Sequence, residues 1–262
     1  MEIVSRISRG SKMDQIYIPK NRHGFNIGSY VIIKPLEENV IAEKPYFYNV
    51  NHIEPIKLET INEIIKVIDK NCNYDNVIFT GSFVDNGFKF NDIDILLISQ
   101  NKLDVEHVKD AIENKTGIKI HIIQLTNQDL MKGLSTDPLY QMMLSKCISK
   151  KRFIYNVKNE INYKVLDLHL LKSKAMNDNF GILNGSEKYY LTRNLISLFL
   201  YADGKKVSKE TVDAEIKKIF NISVEKIKDN MVGNSFLRKY KEIYNKAFSK
   251  IVKSVKNDPK QE

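Results

Sequence analysis

Cysteine and long apolar runs are scarce in this 262-residue chain, and each scarcity removes a class of protein. The two cysteines, Cys72 and Cys147, stand 75 residues apart with no CxxC or Cys/His cluster near either. They can build neither a disulfide framework nor a structural zinc site, and both are expected as free thiols in a reducing cytoplasm. No apolar run approaches the roughly 20 residues that cross a bilayer. Met1 to Lys20 alternates charge with apolar residues instead of forming a signal-peptide core. The expectation is a soluble, cytoplasmic protein with no membrane partner. Eleven glycines and six prolines exclude a collagen-like or low-complexity chain.

The residues present are those of an ordinary globular protein. Hydrophobic residues make up 42%, enough to bury a core of one large domain or two to three small ones. Lys and Arg number 41 against 32 Asp and Glu, a net charge of +9. Residues 1–54 carry +1, 55–157 carry 0 and 158–262 carry +8. A positive field concentrated on the last third favours a polyanionic partner such as RNA or DNA, although a solvated lysine-rich helix surface has the same composition.

These divisions follow changes of pattern. The first part has β character at Gln15–Pro19 and Tyr30–Lys34, joined by a polar stretch with Gly24 and Gly28. Pro35, Pro45 and Pro55 then punctuate an irregular connector with one short strand at Tyr46–Val50. Between 55 and 157 the pattern alternates. It predicts a helix to Asn71, a strand at Val77–Thr80, a buried strand at Ile95–Ile98, a helix over Asp104–Lys115 ended by Gly117, and a strand at Ile118–Leu125. Thr60, with Glu63 three residues on, suits a helix-capping box. Beyond Lys158 no strand is expected, and the apolar spacing is helical at Tyr189–Tyr201, Val212–Phe220 and Phe236–Val255. The fold class is therefore α+β or α/β: an N-terminal β-hairpin module over 1–54, a central α/β domain over 55–157 and a basic helical domain over 158–262.

Chemistry concentrates in the middle third. Side chains two apart on a strand share a face, so Asp92 and Asp94 would project together from the start of a buried strand. Paired carboxylates are a hard-cation site suited to Mg²⁺ or Mn²⁺. Upstream, Gly81-Ser82 closes the preceding strand, where glycine lets backbone approach a phosphate and serine can donate to it.

Val77-Ile-Phe-Thr-Gly-Ser-Phe83 and Asn91-Asp-Ile-Asp-Ile-Leu-Leu-Ile98 together resemble the polymerase-beta-like nucleotidyltransferase superfamily in its minimal form. That resemblance covers roughly residues 58–130 and implies an enzyme transferring a nucleoside monophosphate from an NTP to a hydroxyl acceptor. It implies that Asp92 and Asp94 hold Mg²⁺ or Mn²⁺ and that Gly81 and Ser82 hold nucleotide phosphates. The family commonly adds a third carboxylate on the next strand. Here Ile118-Lys-Ile-His-Ile-Ile123 puts His121 in that place, and Asp85-Asn-Gly87 stands where many relatives carry an arginine beside the glycine. His121 could accept a proton but is a poor ligand for Mg²⁺. Asp129 lies too far along to replace the missing acid. His23, His52, His107 and His169 fall in unrelated segments without metal-ligand spacing and are expected as ordinary surface or core histidines.

Arg6-Ile-Ser-Arg-Gly10, Gln15-Ile-Tyr-Ile-Pro19 and Gly24–Ile33 resemble the swapped-hairpin domain of AbrB-like regulators. This resemblance implies a homodimer through the N-terminal module, with Arg6, Arg9, Lys12 and Arg22 available to nucleic-acid phosphates. Two functions follow. One is a metal-dependent nucleotidyltransferase with an acceptor such as RNA or tRNA. The other is a dimeric DNA-binding regulator or antitoxin whose transferase domain is degenerate.

Overall fold

The computed structural model describes residues 5, 7–18, 20, 24, 26–28, 45–153 and 158–256. The chain divides into two compact units, Met1–Glu43 and Lys44–Glu262. In the first, β1 (Ile7–Ser8) pairs antiparallel with β2 (Gln15–Ile16). Arg9 and Lys12 are exposed. The expected strand at 30–34, and Arg6 and Arg22, lie outside the described residues.

The second unit opens with β3 (Tyr46–Tyr48), α1 (Pro55–Asn71) and β4 (Asn76–Thr80), followed by a 3-10 turn at Gly81–Val84. It continues through β5 (Ile93–Ile98), α2 (Val105–Thr116), β6 (Ile120–Leu125), α3 (Asn127–Thr136), α4 (Pro138–Leu144) and β7 (Cys147–Ser149). Five helices follow: α5 (Tyr163–Asn179), α6 (Gly185–Ala202), α7 (Lys209–Phe220), α8 (Val224–Lys228) and α9 (Asn234–Lys256). The class is mixed α/β.

The sheet runs β3-β7-β4-β5-β6, antiparallel throughout except for the parallel pair β5–β6. Every residue of β4 is buried, and so is all of β5 except Asp94, which is only partly buried. The central strands therefore read as continuous apolar runs covered on both faces. Period two then sorts their side chains. Val77, Phe79, Ile95 and Leu97 join Ile61, Ile64, Ile68, Val108 and Ile112 of α1 and α2 in one core cluster. Ile78, Leu96 and Ile98 face the other way, onto Leu130, Leu134 and Leu144 of α3 and α4. Thr80 and Asp94 share the parity of this second set, and that parity places the site.

The helical third has its own core around Leu195, Ile196, Leu198, Val212, Ile216 and Tyr240, and Met142 of α4 enters it. Tyr240 is fully buried on α9, and its hydroxyl donates to the Ser173 carbonyl at 2.9 Å. α4 packs against both α6 and α7, so the sheet and the helical third face one another across α4.

Several expectations are corrected. β3 pairs with β7, so residues before 55 complete the central sheet instead of standing only as a connector. α1 begins at Pro55, not at a Thr60 cap. Proline is favoured in the first turn because its missing N–H has no partner there anyway. Thr60 lies inside the helix, its hydroxyl donating to Ile56 O at 2.8 Å. Asp92 lies in the bend before β5, leaving Asp94 as the only one of the pair within the strand. Helices α3, α4, α5 and α8 and strand β7 lie outside the elements that the apolar spacing predicts, and Asp129 completes a capping box with Thr126. The stripe on α9 buries Phe236, Tyr240, Ile243, Ala247 and Ile251 but leaves Phe248 50% exposed. Both cysteines are free thiols, and burial pushes the Cys147 thiol up to about 12.

Candidate active site

The sheet's α4-facing side opens into a cleft of ≈ 540 Å³ between the ends of β4, β5 and β6 and helices α4, α6 and α7. Its floor is set by strand register. Asp94 stands opposite Thr80 on β4 and opposite His121 on β6. His121 Nδ1 lies 3.3 Å from Asp94 Oδ1. Thr80 fixes the strand end by donating to Met143 O at 2.8 Å. Gly81 follows with φ of +79°, in the left-handed region, and a side chain there would overlap Asp94 Oδ2. Glycine is thus required twice: for the turn that presents Ser82 to the cleft, and for the close approach of that turn to the carboxylate. Burial pushes the Asp94 carboxyl above its ordinary range, and the nearby Asp92 charge adds to the push against the His121 hydrogen bond.

The loop after the turn is braced by a buried lysine. Lys57 is 1% exposed, which would be costly for an ammonium without partners. It is 3.1 Å from Glu54 Oε2, donates to Asp85 O at 2.6 Å, and lies 5.4–5.6 Å from the ring centroids of Phe83, Phe88 and Phe90. Glu54 in turn accepts from Gly87 N. That bond first, and Lys57 next among side chains, hold its carboxyl down at about 2.

Asp85 then crosses the cleft. It pairs with Lys146 Nζ at 2.8 Å and with Lys209, the first residue of α7. Burial alone would raise the Asp85 carboxyl, but the hydrogen bonds from the two lysines outweigh it and hold the group below its ordinary value of 3.8. A lowered folded-state value means stability that is full above the unfolded value and lost as pH falls through the folded one. Asp85→Asn should therefore unfold at lower urea than wild type at pH 7. The gap should close as the pH is taken below 3.8, read as urea midpoints of both proteins across that range.

The far wall is cationic. Lys146, Lys172, Arg193, Lys209 and Lys228 all line the cleft. Arg193 on α6 lies 5.1 Å from the Tyr190 ring centroid, and its Nε is buried with no hydrogen-bond partner among the described residues. Buried donors are nearly always satisfied, so this one calls for an acceptor. Tyr189 donates to Asp213 Oδ1 at 2.9 Å, while Lys228 sits 4.6 Å from the Tyr189 ring centroid. Burial and the charge of Lys209 lower the Lys228 ammonium, which favours an anionic neighbour that would restore it.

Among the described residues no group of three or more His, Cys, Asp or Glu is placed to hold a metal ion. Asp92 and Asp94 offer two carboxylates. Mg²⁺ is ordinarily bound by one or two carboxylates with water and substrate phosphates completing its shell, so this donor set fits a cation that arrives with a nucleotide. The like-charge push of Asp92 on Asp94 is the repulsion such a cation would relieve.

The structure brings Gly81, Ser82, Asp94 and His121 to one cleft, with Asp92 close enough to act on Asp94. Arg9 and Lys12 belong to the other compact unit. Sequence reasoning missed Asp85 as a bridge, the lysine and arginine wall, and Asp137, which also lines the cleft. Only the departure of Asp85-Asn-Gly87 from the arginine that the nucleotidyltransferase resemblance implies hinted at the first.

No protein-family profile matches the chain, and no curated protein matches its sequence. A spectinomycin adenyltransferase from Enterococcus faecialis, solved with ATP and spectinomycin, is similar in structure at a TM-score of 0.39 and 14% identity, over 73% of this chain and 98% of that one.

Proposed function

We propose that the chain is a metal-dependent nucleotidyltransferase that moves a nucleoside monophosphate from an NTP to a hydroxyl acceptor. The supporting observation is the opposition, across one cleft, of the Gly81-Ser82 turn with Asp94 on one side and a cationic wall holding an unpartnered buried Arg193 Nε on the other. A triphosphate needs both walls. Ser82 and the turn's backbone suit the terminal phosphates, and Arg193 with Lys209 and Lys228 suits the negative charge that accumulates on departing pyrophosphate. Asp92 and Asp94 would hold Mg²⁺ or Mn²⁺, which when bound supplies charge neutralisation at the phosphates. His121 orients Asp94 through their 3.3 Å contact.

The test incubates the purified protein with Mg²⁺ or Mn²⁺ and each of four α-labelled NTPs. Acceptor arms are total cellular RNA, the protein itself and a panel of small polyhydroxylated compounds, with Asp92→Ala/Asp94→Ala as control. Label transferred by wild type alone supports the reading and identifies the nucleotide and acceptor class together. RNA is the acceptor favoured by the +8 of residues 158–262. No transfer in any arm would overturn the proposal. Duplex DNA binding lost on Arg6 and Arg9 substitution would then favour the dimeric regulator with a silent middle domain.

A further inference from the structure

The cleft contains a third carboxylate that the nucleotidyltransferase resemblance does not supply. Its lining carboxylates among the described residues are Asp85, Asp94 and Asp137. Asp85 is committed to Lys146 and Lys209, and Asp94 stands beside His121 with Asp92 near. Asp137 remains. It occupies the junction of α3 and α4, where its Oδ1 accepts from Leu139 N at 2.8 Å as the cap of α4 and faces His169 Nε2 at 3.0 Å. Its Oδ2 makes no hydrogen bond among the described residues.

His169 defines how this carboxylate is held. It is 5% exposed on α5, and its Nδ1 is buried without a partner among the described residues. A proton on Nδ1 would be an unsatisfied buried donor, so the ring's proton belongs on Nε2, donated to Asp137 Oδ1. One carboxylate oxygen is therefore fixed from two directions, by a backbone amide and an imidazole, in a residue that lines the cleft. Tyr140, one turn along α4, lines the same cleft; burial pushes its hydroxyl up, and the charge of Asp137 adds to the push.

We infer that Asp137, oriented by His169, is the base that takes the proton of the acceptor hydroxyl. The assignment rests on the function proposed above. In the reaction the acceptor oxygen forms a bond to the α-phosphorus, and the bond from that phosphorus to the bridging oxygen of the β-phosphate breaks. The electron pair leaves with pyrophosphate. The hydroxyl proton passes to Asp137 Oδ2 and then to solvent, so charge and atoms balance with no further reagent. His169 touches no reacting atom and is a positioning residue.

The experiment compares wild type, Asp137→Asn, His169→Gln and His169→Leu in label transfer from the preferred α-labelled NTP to the acceptor that takes label in the panel above. Binding of a fluorescent ATP analogue with Mg²⁺ and thermal melting are measured in parallel. Asparagine caps helices as well as aspartate does and can still accept from His169, so Asp137→Asn should keep the melting temperature, nucleotide affinity and KM for NTP. Its kcat should fall by about 10²–10⁴, the range for loss of a general base. His169→Leu should lose part of kcat at unchanged KM, and His169→Gln, whose amide can donate to Oδ1, should recover it. An Asp137→Asn enzyme with wild-type kcat overturns the assignment, as does a loss that merely tracks melting temperature or nucleotide affinity. If wild type transfers no label to any acceptor, the proposed function fails and this assignment falls with it. If Asp94→Asn abolishes transfer while Asp137→Asn does not, only the assignment of the base fails.

Discussion

Asp94→Asn should reduce the proposed nucleotidyl transfer by at least about 10³-fold, the equivalent of roughly 4 kcal/mol of transition-state stabilisation. Asp94 is the one carboxylate of the Asp92/Asp94 pair within β5, and register holds it between Thr80 and His121. An amide there still accepts a hydrogen bond but carries no negative charge for the proposed cation. The fold should survive the change. Burial and the Asp92 charge already push this carboxyl up, so its removal relieves an electrostatic cost, and the variant should melt no lower than wild type. Steady-state label transfer and thermal melting on the same preparations read both effects. A low-melting Asp94→Asn protein would mean that the loss of activity reports unfolding and not chemistry.

Gly81→Ala should have the second-largest effect, on stability and activity together. Its φ of +79° strains any side chain, and the added methyl would overlap Asp94 Oδ2. An alanine should cost about 2 kcal/mol, or about 4–8 °C of melting temperature for a chain of this size. It should also displace Asp94 and depress transfer. The two causes separate in a double-mutant cycle. In an Asp94→Ala background the overlap disappears and only the backbone strain remains, so Gly81→Ala should cost less there than in wild type. Equal costs in both backgrounds would mean that the glycine serves the turn alone.

These effects divide along a line that runs through the residues themselves. Val77–Thr80 and Ile95–Ile98 were legible as buried strands because both faces of a central strand are covered, leaving continuous apolar runs. Gly117 was legible as a helix end because its φ of 68° is one that glycine adopts without strain. By contrast α4 has seven residues and starts at a proline after an extended Asp137, too short for a 3.6-residue period to show. α5 carries Leu168 and Leu171 exposed alongside buried Leu166 and Leu170, which blurs its apolar stripe. Lys57 lies in the first turn of α1. No local pattern distinguishes a solvated lysine from one buried among Glu54, the Asp85 carbonyl and three phenylalanine rings.

The site divides the same way. Gly81, Ser82, Asp92 and Asp94 lie within 14 residues, joined by a strand end and a strand start, so their association is a matter of local backbone geometry that sequence alone carries. The cations that face them come from α4's end, α5, α6, α7 and α8, and the base proposed here depends on a histidine 32 residues away. Charges brought together from such separations are chosen by how helices pack, and packing depends on the whole core, not on the spacing of any one segment. The sequence by itself therefore determined the alternating α/β middle, the helical last third and the carboxylate floor. Only the tertiary structure decided that Asp85 would bind two lysines across the cleft, that Arg193 would be left with an unpartnered buried donor, and that Asp137 would be held by His169.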